Sequence, residues 1–449
     1  MDKRIVDSLW MEATKARSTL EMPDACRVII YALFIQYLDM ENMGTKSPLY
    51  DEKFSVGYLA LTYGKKAGPQ NIGGYVREIE QDIINKKNFV SAEMEKLLGR
   101  AEASYVQKVF SIIDEANFEE KKQLYTVAAS LIDRLCYAYG SSKGWTSANL
   151  SLCKLEGRLL GCKDGMIVYD GFCGWGLSAS EAAGGRGTVF LQDIDRSVAT
   201  IATVMAVLRG NQIGAAECGD SLITPLQHEK YDRIVCEPPF VSKYDSSYLS
   251  AVPKDNYIYP ETLDSGSLEL RHVMAHLGKN GTAVVLVPAG MLFKSGKCAT
   301  VREKLVEEYI DAVLELPPGV IPNTSTATAL LVLKKDKNTN SIYMLNAKDF
   351  FEKSDKKHLI ISDENINRIV DMYEGRKKTE GVSHDIQKDD VKTRKYNLCT
   401  SQYVISNLRD TIVLADTAGY MQKYKQLAGQ LATIDKKLES VRGRFIGNV

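Results

Sequence analysis

The stretch Tyr231–Phe240, "YDRIVCEPPF", decides how this chain is read. Ile234, Val235 and Cys236 have the character of a buried strand, and the two prolines after Glu237 stop its hydrogen-bond ladder. The segment therefore sets a carboxylate, a rigid Pro-Pro step and an aromatic ring, Phe240, at the mouth of a sheet.

On both sides of it, from Met166 to about Lys335, short apolar runs alternate with helical patterns. The runs are "MIVYD", "TVFLQDI", "RIVCE", "AVVLVP", "DAVLELP" and "ALLVLKK"; "RSVATIATVMAVLRG", "SGSLELRHVMAHLG" and "VREKLVEEY" lie between them as helices. Such alternation predicts a doubly wound α/β sheet, which binds ligands at the carboxyl ends of its strands. "MIVYDGFCGWG" is one such end. Asp170 closes a strand, Gly174 and Gly176 free the backbone to approach a ligand, and "LSASEAAGG" opens a helix. The next strand ends in acids, Asp193 and Asp195, where ribose hydroxyls are held in nucleoside-binding sheets. "AAECGDSLITP" then sets Asp220 in a loop after a short strand. A plain strand-to-helix turn explains the glycines alone; with the following acid, a nucleoside-type cofactor explains them better. No lysine follows them in a phosphate-loop pattern, which disfavours an NTPase.

Composition sets the limits. Of 449 residues, 45% are hydrophobic and 25% charged, as in an ordinary soluble protein. Nine cysteines without a CxxC pair predict reduced thiols in a cytoplasmic protein. No apolar run is long enough to span a membrane, and "MDKRIVDSLW" lacks the apolar core of a signal peptide. The histidines have no metal-ligand spacing, so no metal is expected; His272 and His276, a turn apart, read as residues of a surface helix. Lys+Arg and Asp+Glu both number 57, so no global positive field draws the chain to nucleic acid.

Residues 1–143 read as a helical domain. "ACRVIIYALFIQYLDM" puts Val28, Tyr31, Ala32, Phe34, Ile35 and Leu38 on one broad stripe. "SAEMEKLLGRAEASYVQKVFSIIDEA" and "KKQLYTVAASLIDRLCYAYG" are also amphipathic, and "TYGKKAGPQNIGGY" reads as a loop. Residues 336–410 give little local signal. In the tail, 411–449, Tyr424, Leu427, Leu431, Ile434, Leu438, Val441 and Phe445 alternate spacings of three and four. That a/d seam is narrower than a core-packing stripe and predicts a coiled-coil helix that docks another subunit.

Taken in order, these pieces resemble the S-adenosylmethionine-dependent amino-type DNA methyltransferases, and more narrowly the methylation (M) subunit of type I restriction-modification systems. "YDGFCGWG" stands where that family has "YDPxCGSG", and "GWTSANLSLCKLEGRLL" where it has "YTPxxLVxLM". "AVVLVPAGMLFKSG", "AVLELPPGVIPNTSTATALLVLKK" and "RKYNLCTSQYV" resemble its "AIVLPxGVLF", "VIxLPxxLFxxTxxxTxILVLxK" and "YNLSPSRYV". The resemblance implies an N-terminal helical domain (1–143), a seven-stranded methyltransferase core (144–410) and a helical tail (411–449). It implies N6-methylation of a flipped adenine at a site read by a separate specificity (S) subunit. Double-stranded DNA, the S subunit, a second M subunit and a restriction subunit are the implied partners.

By the same carry-over, Glu237 and the Pro238 carbonyl would accept hydrogen bonds from the adenine amino group. Pro239 would stiffen the loop, and Phe240 would stack on the flipped base. Rate would come from positioning and electrostatics rather than a general base. Thr146 would lie near the methionine end of S-adenosylmethionine, and Asp170, Cys173, Gly174 and Gly176 beneath it. Asp193 would take the ribose hydroxyls, with Asp195 close enough to compete, and Asp220 would meet the cofactor's adenine. The pattern breaks where it matters. Glu237 replaces Asn or Asp, Trp175 a small residue, and Ser147 and Gly171 prolines. A displacement of about 1 Å at a reacting group can cost on the order of 10²-fold in rate. The alternative is a silent methyltransferase-fold subunit that binds DNA or partner proteins. A methyltransferase acting on RNA or protein amides fits the helical domain and tail less well.

Overall fold

A computed structural model of the chain describes residues 2–42, 51–65, 71–143, 149–226, 230–240, 244–253, 267–337, 339–354, 358–404, 422–431 and 433–434. Met1–Val404 and Ile405–Val449 form two compact units.

The first unit opens with helices α1 (Asp2–Lys15), α2 (Met22–Asn42), α3 (Val56–Thr62), α4 (Ile72–Ile84), α5 (Val90–Leu98), α6 (Ala103–Glu115) and α7 (Lys121–Lys143). α2 buries more than the expected stripe. Ile29, Ile30 and Leu33 are as inaccessible as Val28 and Ile35, because α1, α5, α6 and α7 surround the helix. The loop read over 62–75 ends early: Asn71 caps α4 by accepting the Gly74 N–H at 2.6 Å. The amphipathic stretch 91–116 is two helices, broken after Leu98.

The remaining helices of the site are α8 (Leu150–Leu160), α9 (Leu177–Ala183), α10 (Arg196–Leu208), α11 (Ser246–Ala251) and α12 (Ser267–His276). α13 (Lys297–Glu308) and α14 (Asp363–Glu374) follow. The strands are β1 (Ile167–Asp170), β2 (Thr188–Asp193), β3 (Gln212–Cys218), β4 (Tyr231–Cys236), β5 (Leu277–Pro288), β6 (Ile310–Glu315), β7 (Thr328–Lys334), β8 (Ser341–Asn346), β9 (Phe351–Lys353), β10 (Leu359–Ile361) and β11 (Ser383–Gln387). β9 and β10 pair with each other; the others form one nine-stranded sheet ordered β11-β8-β6-β7-β5-β4-β1-β2-β3. β1–β5 run parallel to their sheet neighbours among themselves, and β7 inserts antiparallel between β5 and β6. The expectation of seven strands is thus corrected: β8 and β11 extend the sheet beyond β6. Arg376 secures that extension through Asp311 at 3.1 Å and Asp385 at 2.6 Å.

Alternate residues of the strands feed opposite faces. Val168, Val235, Val284 and Leu286 join the core shared with the N-terminal helices. Tyr169, Ile234, Ala283 and Val285 join the core under α12 and α13. Burial on both faces is why these strands read as continuous apolar runs. The Tyr31 and Thr200 hydroxyls, 3.2 Å apart, stitch α2 to α10.

The surface-helix reading of His272 and His276 is corrected. α12 is buried, with the two rings 4.2 Å apart and 1% and 8% exposed. In the second unit, residues 422–431 are helical and expose Tyr424, Leu427 and Leu431; Leu438, Val441 and Phe445 lie outside the described residues. Among the described residues no helix is long and apolar enough to cross a membrane.

Candidate active site

The carboxyl ends of the adjacent strands β4, β1 and β2 carry Glu237, Asp170 and Asp193. Each end is built differently. Asp170 is 2% exposed and accepts the Phe172 N–H at 3.1 Å, which tightens the turn after β1. The Cys173 N–H reaches the Gln192 carbonyl at 3.0 Å, and the Gly174 N–H reaches Asp193 at 2.9 Å. The glycine turn is therefore pinned to the end of β2.

The glycines serve separate purposes. Gly174 has φ +49°, and a Cβ there would meet nothing closer than the Phe172 carbonyl at 3.9 Å, so this face of the turn is open. Gly176 has φ +80° and packs on α10; a Cβ would come within 2.5 Å of the Ala202 Cα. Gly171, at the position of a family proline, makes room for Tyr169. A Cβ would sit 2.5 Å from the Tyr169 hydroxyl, which is 3.0 Å from His272 Nε2. Tyr169 also stacks on Tyr231 with ring centres 4.3 Å apart. Burial, with His276 alongside, keeps His272 well below the usual imidazole range, so it is neutral. Trp175, between the glycines, is 3% exposed and belongs to the core shared with the N-terminal helices.

Asp193 and Asp195 divide the work at the end of β2. Asp193 accepts the Asp195 N–H at 2.9 Å as well as Gly174, leaving each oxygen a second lone pair. Asp195 caps α10 through the Ser197 N–H and hydroxyl, at 2.8 and 2.7 Å. Ile194, between them, is 74% exposed; the sequence signal for it was an apolar residue amid acids. Asp220 accepts the Leu222 N–H at 2.9 Å and the Tyr248 hydroxyl at 2.8 Å, so α11 reaches the β3 end of the site.

Glu237 is half-buried, Pro238 buried, Pro239 exposed and Phe240 partly packed on the core. The Glu237 carboxyl accepts the Ser178 hydroxyl of α9 in a short hydrogen bond. That hydroxyl also lies 3.2 Å from Cys153 Sγ, and Cys153 lies 3.8 Å from Glu237 Oε1. Glu156, one turn on from Cys153 in α8, completes the cluster: polar atoms of Cys153, Glu156 and Glu237 all lie within 4.8 Å of one another. The Ser178 hydroxyl bonds two of the three directly, which makes this a hydrogen-bonded acid cluster. Ser178, Cys153 and Glu156 were not among the expected site residues. Thr146 and Ser147 lie outside the described residues.

Burial, against the opposing Phe172 N–H, pushes Asp170 well above the usual carboxylate range, and Glu237 and Asp193 add to the rise. Burial likewise raises Asp193, opposed by the Asp195 and Gly174 N–H groups. Burial and then Asp193 and Asp170 raise the Cys173 thiol. The charged groups acting most strongly on Asp170, Asp193 and Glu156 are all acids. The site gathers carboxyls that burial and one another hold up, and a cation would offset that.

A family model described as N-6 DNA Methylase matches residues 131–410. The chain belongs to the N-6 DNA methylase family. It is 26% identical over 370 residues to the type I restriction enzyme MjaVIII methylase subunit of Methanocaldococcus jannaschii, covering 72% of this chain and 63% of that protein. It is 33% identical over 137 residues to the MpnII methylase subunit of Mycoplasma pneumoniae, covering 30% of this chain and 25% of that one. The chain thus spans less than two thirds of the length of these curated relatives. Its fold is similar to that of the type I restriction-modification methyltransferase subunit from Streptococcus thermophilus: TM-score 0.69, 21% identity, covering 90% of this chain and 99% of that one. A chain from a structure on complex assembly and conformational transition of the type I restriction-modification system gives a TM-score of 0.65 at 18% identity, covering 98% of this chain and 99% of that one. As a family member, the chain carries the x-PP-F loop at 237–240 and the glycine turn at 174–176 inside the matched region.

Proposed function

We propose that this N-6 DNA methylase is the methylating subunit of a type I restriction-modification complex and transfers a methyl group from S-adenosylmethionine to the N6 atom of a flipped adenine. The observation that carries this reading is the convergence of Glu237, Asp170 and Asp193 at the carboxyl ends of neighbouring strands, beside a turn that is open at Gly174. A sulfonium is the kind of charge that such a set of carboxyls favours. The residues fit the cofactor: the turn is open at Gly174, Asp193 keeps acceptor capacity for ribose hydroxyls, and Ile194 offers an apolar face beside it. When bound, S-adenosylmethionine supplies the electrophilic methyl group.

In this reading Thr146, Asp170, Cys173, Gly174, Gly176, Asp193 and Asp220 hold the cofactor. Tyr248 shares Asp220 with the cofactor's adenine. Glu237 and the Pro238 carbonyl accept the two N6–H bonds and turn the nitrogen lone pair toward the methyl group, and Pro239 fixes the loop. Phe240 stacks on the extruded base. The domains are 1–143 (helical), 144–410 (the catalytic core, which holds the nine-stranded sheet) and 411–449 (a coiled-coil tail that docks another subunit). The exposed Tyr424, Leu427, Leu431 and Ile434 support that docking role. The balanced charge supports delegation of DNA reading to the S subunit, with a second M subunit and a restriction subunit completing the complex.

Calorimetric titration of the purified chain with S-adenosylmethionine tests the cofactor half. Saturable one-site binding, weakened at least tenfold by Asp193→Ala, is expected. Failure to bind would favour the silent-subunit alternative.

A further inference from the structure

Glu156 has a property that its neighbours do not share. It is 0% exposed, and among the described residues no N–H or O–H donor meets either carboxyl oxygen at hydrogen-bonding geometry. Its strongest charged influences are Glu237 and Asp170, both acids. An ionised carboxylate in that place would be desolvated, unpaired and repelled. Two carboxyls this close, one of them wholly buried, resist ionising together. As an acid, Glu156 gains one O–H to donate, and the Glu237 carboxylate is the acceptor beside it.

We propose that Glu156 is held as a protonated carboxylic acid that donates to the Glu237 carboxylate, and that with Ser178 it fixes the rotation of the Glu237 side chain. Glu156 is thus a positioning residue, and the proposal rests on the functional reading above only for what Glu237 then does. It accounts for glutamate at 237. The longer side chain reaches back to Ser178 on α9 and to the Cys153–Glu156 turn of α8. Burial is the main cause that keeps Glu156 well above the usual carboxylate range, and Glu237 comes next.

The Ser178 hydroxyl opposes the rise, and burial with Glu237 outweighs it. Cys153 on the same helix is held up by burial, and Glu181 of α9 acts on it as a further acid. Asp133 of α7 accepts the Leu150 N–H at 2.8 Å, at the far end of α8. Asp363 of α14 pairs with Lys154 on the exposed side at 3.7 Å. β10 has no titratable side chain, and Lys279 of β5 is exposed.

The test is infrared spectroscopy of the full-length chain carrying ¹³C-labelled glutamate, which separates Glu156 from the buried aspartates. At pH 8 the wild type is expected to show a protonated-glutamate C=O band. Glu156→Gln should abolish it, and Glu237→Gln should move it to higher wavenumber, because an amide accepts more weakly than a carboxylate. Absence of the band, its survival in Glu156→Gln, or its indifference to Glu237→Gln would each overturn the proposal. In a reconstituted methylating complex, Glu156→Met is expected to lower kcat at least tenfold with little change in KM, and Glu156→Gln to restore most of that loss. The wild-type rate should fall at alkaline pH as Glu156 ionises, and the Gln variant should lack that fall. A wild type that shows the band but never methylates would sink the functional reading and leave the proton assignment standing.

Discussion

Replacing Gly171 by alanine probes the turn that supports the site. The new Cβ would lie 2.5 Å from the Tyr169 hydroxyl and 3.0 Å from its ring carbon Cζ. The ring is stacked on Tyr231, so it cannot retreat without disturbing buried packing. Relief of the clash separates the hydroxyl from His272 Nε2, now 3.0 Å away. Overpacking costs about 1–3 kcal/mol, and the hydrogen bond left unmade to a buried neutral histidine about 1–3 kcal/mol more. Taking overlap into account, a loss of about 2–4 kcal/mol is expected for Gly171→Ala. Tyr169→Phe removes the nearer atom and leaves the 3.0 Å approach to Cζ, so alanine at 171 should cost about half as much in that background. The assay is a double-mutant cycle on thermal and urea unfolding midpoints. A coupling of about 1–2 kcal/mol is expected, in the range seen for touching residues. Strictly additive midpoint shifts would show that the hydroxyl does not dictate glycine at 171.

Other outcomes follow from single contacts. Gly176→Ala meets the Ala202 backbone and side chain at 2.5–2.9 Å with φ +80°, so it should cost about 2–4 kcal/mol and weaken S-adenosylmethionine binding measured by calorimetry. Asp39 is held at about 7, chiefly by burial and against the Val56 N–H it accepts. Because its folded value lies above its unfolded one, the folded state binds the extra proton, and stability falls as pH rises from about 4 to 7. Asp39→Asn should flatten that part of the midpoint-versus-pH curve, and an unchanged slope would count against the shift. By the same sign, Glu156→Gln should raise the unfolding midpoint more at pH 8 than at pH 4. Glu237→Asn leaves Ser178 and Glu156 without their acceptor and should lower methylation at least tenfold; a gain would mean that glutamate attenuates the loop.

The sheet was readable because its strands are buried on both faces and end in distinctive turns. Val168, Val235 and Val284 announce themselves, and so do the glycines after Asp170. β8 and β11 were not legible: "SHDIQ" is polar, and it pairs with β8 under the control of Arg376, which no local pattern reveals. The histidines of α12 misled because a helix buried all round has no polar stripe to mark its outside. The strand-end acids were visible one by one, while the cluster behind Glu237 was not, since α8 and α9 bring its parts from separate segments. One signal was there to be read: in "LCKLEGRLL", Glu156 falls among Leu152, Leu155 and Leu159 on the apolar side of its helix. A carboxyl on an apolar face is either a packing fault or a group with a task.

The most direct test of the account is a long-read map of N6-methyladenine in the native genome, with the gene intact, deleted, and carrying Glu237→Ala. The account predicts N6-methyladenine at a split motif that disappears in both altered strains. An unchanged methylation map, with the protein shown to be expressed, would contradict it and leave a silent subunit of the same fold.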